Sequence, residues 1–449
     1  MLASATIVAP ATPPGRGGIG VVRVSGALVT AIIQAVLHQN LQPRYATFSN
    51  FYAANNKVID QGIALYFVAP NSFTGEDVLE LHCHGGPIVI DMLLQRVLEL
   101  NTRMARPGEF IERAFLHHKI DLTQAEAVAD LIDAESSQAA QNAARTLQGE
   151  FSQRVRQLDK ELTDLRVLLE ASIDFSEQTI VPLTTQLELA TQKILQQLVE
   201  LNTGAKQGVV LRDGIIVVIV GKPNAGKSSL FNYLNGYAAA IVTAIPGTTR
   251  DILRARVILN ELPINLVDTA GLRDKPDLIE QEGIRRAKDE LYAADHVLLM
   301  AEASEQPLPP TQLLAELCCT LPQQTKLTVV YNKIDLLNAA AKFVIIENTD
   351  CIYLSVKTQQ GLDLLKEHLV NSAGLQPIES GFSARRRHLA ALDQATKCCY
   401  KAQHALATGI IELVAEELRQ AQKALGEITG EFVADDLLGK IFSEFCLGK

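Results

Sequence analysis

The sequence predicts a multidomain chain of the α/β and all-α classes: an N-terminal α+β domain, a discontinuous helical domain, and a doubly wound α/β domain inserted into the helical one. Three observations predict it. The texture changes in order, from short β-rich runs punctuated by Gly and Pro, to an Ala, Gln, Glu and Leu-rich stretch from Asp121, to alternating apolar and helical runs over 213–372. The 449 residues allow roughly three domains at about 150 residues each. A composition of 47% hydrophobic and 20% charged residues is that of folded globular protein, which excludes disordered, collagenous and low-complexity readings.

Residues 1–118 form the expected N-terminal domain, with strands over Gly18–Val24 and Ile63–Val68. Residues 119–212 form the first helical part: Leu147, Phe151, Val155, Leu158, Leu162, Leu165 and Leu169 recur at steps of four and three, the period of one long amphipathic helix. Residues 213–372 follow as the α/β domain, with strands at Ile215–Val220, Ile264–Val267, Val297–Met300, Leu327–Tyr331 and Cys351–Leu354. Residues 373–449 form the second helical part, where Ile411, Val414, Leu418, Ala421, Leu425, Ile428 and Phe432 make a second stripe. One helical domain split by an insertion is the economical arrangement, because insertions are tolerated where chain ends lie close together. Two separate helical domains are the alternative.

The net charge of −10 repels phosphates on average, so contact with nucleic acid requires a local basic patch. Arg385-Arg386-Arg387-His388 is the most concentrated basic run; it is either an RNA-backbone contact or a solvated helix start. Seven scattered cysteines do not suggest a disulfide framework and fit a reducing cytoplasm. The N-terminus lacks a basic n-region, and no apolar run of about 18 residues offers a membrane span. His82-Cys83-His84 and His117-His118 match no common zinc spacing, since alternation on a strand puts only His82 and His84 on one face.

Gly221-Lys222-Pro223-Asn224-Ala225-Gly226-Lys227-Ser228 fits G-x-x-x-x-G-K-[ST], after a strand and before the helical stretch beginning at Ser229. Backbone N–H groups there wrap phosphate oxygens, Lys227 supplies a point charge, and the Ser228 hydroxyl is a magnesium ligand. Asp268-Thr269-Ala270-Gly271 follows another strand; Asp268 reaches the magnesium shell and Gly271 leaves its N–H for the γ-phosphate. Asn332-Lys333-Ile334-Asp335 places a carboxylate to accept from guanine N1–H and the 2-amino group, a donor pair adenine lacks. Ser355-Val356-Lys357 lies where GTPases contact the guanine edge. Together these motifs predict a GTP/GDP site.

Ras-like proteins carry a water-orienting Gln directly after Asp-x-x-Gly, but Leu272 stands here and neither donates nor accepts. Glu280 is the candidate to orient water, with Glu282 as its rival. Arg250 is a candidate arginine finger or a structural residue. Within Thr243-Ala244-Ile245-Pro246-Gly247-Thr248-Thr249, either Thr248 or Thr249 is placed to bind magnesium and sense the γ-phosphate.

Motifs at both ends extend the pattern: Pro14 to Arg23, Thr74 to Gly86, Arg106 to Phe110, and Phe445-Cys446-Leu447-Gly448-Lys449. With them the whole chain resembles the MnmE (TrmE) tRNA modification GTPases, which usually end Cys-Ile-Gly-Lys; Leu447 is a conservative departure. The resemblance implies an N-terminal folate-binding and dimerising domain, with Arg23, Glu80, Lys119 and Lys449 at positions that bind 5-formyl- or methylene-tetrahydrofolate. It implies magnesium on Ser228 and Thr249. It also implies potassium on Asn224 and the backbone carbonyls of Thr243, Ile245 and Thr248, with Glu280 as the catalytic acid. It further implies a homodimer acting with an FAD-containing partner, MnmG (GidA), in a heterotetramer that modifies carbon 5 of the wobble uridine of certain tRNAs. Cys446 has no base visible in the sequence, and a free thiol beside the folate is an equally good reading. A GTP-dependent RNA-binding or ribosome-assembly factor, which needs no folate site, is the competing function.

Overall fold

The structure, a computed structural model, describes residues 5–174, 180–237, 253–268, 290–316, 321–322, 325–374, 381–431, 435–443, 445 and 448. The chain divides into two compact units: Met1–Ala129, Thr146–Leu195 and Gln394–Lys449 form one, and Asp130–Arg145 with Gln196–Asp393 form the other.

The chain begins with β1 (Ile7–Pro10), β2 (Gly17–Ser25), α1 (Val29–Leu37), β3 (Thr47–Tyr52), β4 (Val58–Phe67), β5 (Val78–Gly85), α2 (Pro87–Leu98), β6 (Arg103–Met104) and α3 (Glu109–Leu116). The six strands form one sheet in the order β3-β4-β5-β2-β1-β6. Alternation along β2 puts Val22 and Val24 into the core with Val8, Leu79, Leu81, Ile32 and Leu93, while Arg23 points to the other face. The register Arg23↔Glu80 sets a cation directly opposite a carboxylate. Gly108 opens α3 with φ 69; a Cβ there would stand 2.4 Å from the Phe442 carbonyl oxygen, so this close approach requires glycine.

Four helices follow: α4 (Leu122–Ile132), α5 (Ser137–Leu147), α6 (Glu150–Asp174) and α7 (Ile180–Asp213). The predicted stripe is buried at Phe151, Val155, Leu158, Leu162, Leu165 and Leu169. Leu147, however, ends the preceding helix. Gly149 adopts φ 92, a left-handed conformation that stops one helix and admits the next.

The second sheet comprises β7 (Ile215–Gly221), β8 (Leu253–Leu259), β9 (Leu262–Asp268), β10 (His296–Glu302), β11 (Lys326–Asn332), β12 (Lys342–Ile346) and β13 (Thr349–Tyr353). With them come α8 (Lys227–Tyr237), α9 (Pro310–Glu316) and α10 (Leu362–Ser372). Strand order is β12-β13-β11-β10-β7-β9-β8, parallel in the centre and antiparallel at both edges. All five predicted strands occur. The edge strands β8 and β12 escaped the sequence reading because they do not form continuous buried apolar runs. Leu230, Leu234, Leu365 and Leu369 cover one face of the sheet, and Leu291, Ala294 and Leu313 cover the other. The chain reverses direction across the sheet at β7, so the crevice at its carboxyl end is where an α/β fold of this kind binds ligands.

Three helices close the chain: α11 (Arg386–Thr408), α12 (Ile411–Thr429) and α13 (Asp435–Ser443). Val414, Leu418, Ala421, Leu425 and Ile428 are buried, and Arg166 Nη1 donates to Gln422 Oε1 at 2.6 Å, joining α6 to α12. Phe442 and Phe445 pack with Ile111, Leu122 and Ala125, which fastens the C-terminal helix to α3 and α4.

Candidate nucleotide-binding site

The loop after β7 has the backbone a phosphate cradle needs. Asn224 has φ 63 and Gly226 φ 101; a Cβ on Gly226 would lie 2.2 Å from Asn332 Nδ2. Lys227, the first residue of α8, is 9% exposed, and its Nζ donates to the Gly221 and Lys222 carbonyls at 3.0 and 2.9 Å. The ammonium is thus held over the loop, at the positive end of a helix.

Ser228 Oγ lies 3.2 Å from Asp268 Oδ2. The sequence separates these residues by two strands, and the parallel pairing of β7 with β9 brings their oxygens together. Two hard oxygen donors at this separation suit magnesium, which takes a hydroxyl or carboxylate along with phosphate oxygens. Ser229 is exposed on the same first turn.

The base-reading side is knitted to the loop. Asn332 Nδ2 donates to the Ala225 carbonyl at 2.9 Å, and its Oδ1 accepts from the Val356 N–H at 3.0 Å. Asp335 Oδ1 accepts from Ser355 Oγ at 2.6 Å. Lys333, at φ 71, pairs with Glu302 at 2.9 Å. Glu302 was missed in the sequence; its one signal is its place at the carboxyl end of β10. Lys357 is exposed beside Val356. Three motifs far apart in the chain therefore meet at the carboxyl ends of β7, β11 and β13.

A second cluster lies in the N-terminal sheet. Arg23 Nε pairs with Glu80 Oε1 at 2.9 Å, its guanidinium carbon sits 5.7 Å from the centre of the Phe110 ring, and its Nη1 donates to the Gly448 carbonyl at 3.2 Å. Gly448 has φ 88, and a Cβ there would meet the Pro10 carbonyl oxygen at 2.0 Å. The partly exposed carboxylate and cation fit a ligand that bears N–H donors and an anionic group, while the buried Phe110 ring backs Arg23. Lys119 is exposed, and its Nζ donates to the Pro70 carbonyl at 2.9 Å.

Residues 122–446 match the family profile of the MnmE helical domain, and residues 6–119 match that of the GTP-binding protein TrmE N-terminus. The chain belongs to the MnmE family of tRNA modification GTPases. The tRNA modification GTPase MnmE of Legionella pneumophila (strain Corby) is 52% identical over 447 residues, covering 99% of each chain. That of Coxiella burnetii (strain Dugway 5J108-111) is 54% identical over 449 residues, covering 99% of this chain and 98% of its own. Among solved structures, the G domain of the T. maritima FeoB iron transporter matches at 28% identity and TM-score 0.26, covering 35% of this chain and 98% of that one.

This MnmE-family chain is a GTPase of multidomain α/β fold. Thr243, Ala244, Ile245, Pro246, Gly247, Thr248, Thr249, Thr269, Ala270, Gly271, Glu280 and Lys449 lie outside the described residues, as do Arg250, Glu282 and Cys446. The histidines read against a metal cluster have other partners. His84 Nδ1 lies 2.8 Å from Asp60, His82 Nε2 3.4 Å from Glu80, and His117 Nδ1 2.6 Å from the Thr74 carbonyl. Cys83 is buried against the Gly20 carbonyl, and burial, with the Asp60 charge, pushes its thiol up to about 11. No group of three metal-binding side chains occurs among the described residues, and none of their helices is long and apolar enough to cross a membrane. The basic run at 385–388 is corrected in part: Arg385 turns inward onto Asp130 at 2.9 Å with only 11% of its side chain exposed, so it is not an RNA-facing cation.

Proposed function

We propose that this protein is a potassium-dependent GTP hydrolase. With an FAD-containing partner of the MnmG (GidA) kind, it adds an aminomethyl or carboxymethylaminomethyl group to carbon 5 of the wobble uridine of certain tRNAs, using a tetrahydrofolate one-carbon unit. The observation that carries the reading is the Arg23–Glu80 pair seated under the Gly448 carbonyl, in the same chain as the phosphate loop and the base-reading Asn332 and Asp335. An assembly GTPase needs only the second of these. The proposed organisation is a homodimer in a cytoplasmic heterotetramer, with domains at 1–118, 119–212, 213–372 and 373–449.

The roles follow from chemistry. Asp335 accepts from guanine N1–H and the 2-amino group, and Ser355 holds that carboxylate in place. Lys227 exchanges loop carbonyls for phosphate oxygens. Ser228 and Thr249, with Asp268, would hold a magnesium ion, which would supply positive charge to the phosphates. Asn224, with the carbonyls of Thr243, Ile245 and Thr248, would hold potassium, which would supply the positive charge that an arginine finger gives elsewhere. Glu280 orients the attacking water. Arg23, Lys119 and Lys449 take the folate's anionic tail while Glu80 accepts from its pterin.

The test is mass spectrometry of wobble-uridine nucleosides in tRNA from cells depleted of this protein, with the wild-type gene restored as control. Loss and recovery of the carbon-5 side chain is the expected result. An unchanged profile overturns the modification role and moves the function to RNA binding or ribosome assembly.

A further inference from the structure

The β8–β9 hairpin joins the two ends of one unit that a nucleotide-dependent enzyme has to connect. In sequence, β8 follows the Thr-rich segment and β9 runs directly into Asp268; Asp268 pairs across the hairpin with Leu253. At its far end, Leu259 and Leu262 flank a two-residue turn, Asn260-Glu261, with φ 47 and 69 at its two residues. Seven residues per strand at about 3.4 Å each carry that turn roughly 20 Å from the nucleotide end.

What the far end touches is specific. Glu261 Oε2 accepts from the Gln138 N–H at 3.1 Å, in the first turn of α5, where Ser136 Oγ accepts from Ala139 N–H at 3.2 Å. Arg256 Nε pairs with Glu135 at 2.7 Å, and its Nη2 donates to the Arg212 carbonyl at 3.0 Å. Asn265 Nδ2 donates to the Asp213 carbonyl at 2.9 Å. Behind these contacts, the buried Asp130 accepts from Arg212 at 2.7 Å, Arg385 at 2.9 Å and Ser383 at 2.7 Å. One carboxylate therefore binds together three separate stretches of chain, and a polar cavity of about 370 Å³ lies beside them, lined by Glu135, Arg212 and Arg256 among others.

We infer that Arg256 is a positioning residue: through its ion pair with Glu135 it transmits the nucleotide state from the Asp268 end of the hairpin to the helical chain at 130–145. The pair is open to solvent on its Arg256 side, which screens it and limits its contribution to global stability. A cavity beside the pair leaves room for it to shift, which close packing would not. The inference uses the proposed tRNA role for only one of its readouts.

The experiment compares full-length wild type, Arg256→Glu, Glu135→Arg and the double charge swap. Hydrogen exchange is followed at residues 135–142 with GDP and with a non-hydrolysable GTP analogue, alongside GTP turnover and restoration of the modified wobble nucleoside in depleted cells. The wild type should change exchange at 135–142 with nucleotide. Each single variant should lose that difference and at least about tenfold of its modification rate while GTP turnover stays within about twofold, and the swap should recover both. No nucleotide-dependent exchange in the wild type overturns the inference. So does turnover that falls with modification, or a swap that does not rescue. Wild type that shows the exchange difference but fails to restore the nucleoside overturns the modification role and leaves the coupling standing.

Discussion

Arg23 Nη1 donates to the carbonyl of Gly448 at 3.2 Å, across 425 residues of sequence, so the penultimate residue of the chain lies on the side chain that pairs with Glu80. The buried Phe445 and the approach of Gly448 to the Pro10 carbonyl hold it there. Gly448 thereby lies against the first two strands.

For the folate proposal, Arg23→Ala removes a charge-assisted partner worth about 2 kcal/mol, roughly thirtyfold in affinity. Calorimetry with 5-formyl-tetrahydrofolate should show that loss, with GTP affinity unchanged. Equal folate affinity in the variant removes Arg23 from the site.

Asp335→Asn replaces an acceptor facing guanine's donor pair with an amide. GTP affinity should fall by about a hundredfold, and a xanthine nucleotide, which offers a carbonyl where guanine has its 2-amino group, should bind better than GTP. Competition against a fluorescent nucleotide measures both.

Asn224 is exposed at the phosphate loop with a left-handed backbone, free to turn its amide oxygen to a cation. GTP turnover should run at least about tenfold faster in potassium than in sodium, and Asn224→Ala should erase the difference. Equal rates in the two salts sink the potassium proposal.

Replacing Glu280 by Ala should leave GTP binding nearly intact and lower turnover by about a hundredfold or more, as expected for loss of a water-orienting base. Near-normal turnover would shift the role to Glu282.

Glu109 is 3% exposed; it pairs with Arg113 at 3.0 Å, and Arg113 also meets Glu76 at 2.7 Å. Burial alone raises its pKa, yet hydrogen bonds from Arg103, the Arg106 N–H and Arg113 bring it down to about 2 from 4.5. A depressed folded pKa means stabilisation present above the unfolded value and lost as pH falls from about 4.5 toward 2. Glu109→Gln should cost about 1–3 kcal/mol at neutral pH by leaving the buried Arg113 with Glu76 as its remaining carboxylate and Arg103 without this partner, and should flatten the acid limb of the stability curve. Thermal melts from pH 7 to 3 measure both.

The sequence by itself determined the nucleotide chemistry. Gly226, Lys227, Ser228, Asp268, Asn332 and Asp335 are legible because each motif is local: a few consecutive residues at the end of a strand, where backbone geometry and side-chain type suffice. The central strands and the buried stripes of α6 and α12 were legible for the same reason, since apolar periodicity is a property of one element. Tertiary structure alone decided what depends on pairing between distant elements. Gly149 split an otherwise continuous helical pattern. Edge strands β8 and β12 lacked a buried run, and only their partners made them strands. Arg385 read as a surface cation until the fold set Asp130 against it, and Glu302 acquired Lys333, Arg23 acquired Gly448, and Arg256 acquired Glu135 in the same way. A charge carries no record in the sequence of its distant partner; desolvation and proximity, which the fold creates, decide whether it faces water or an opposite charge.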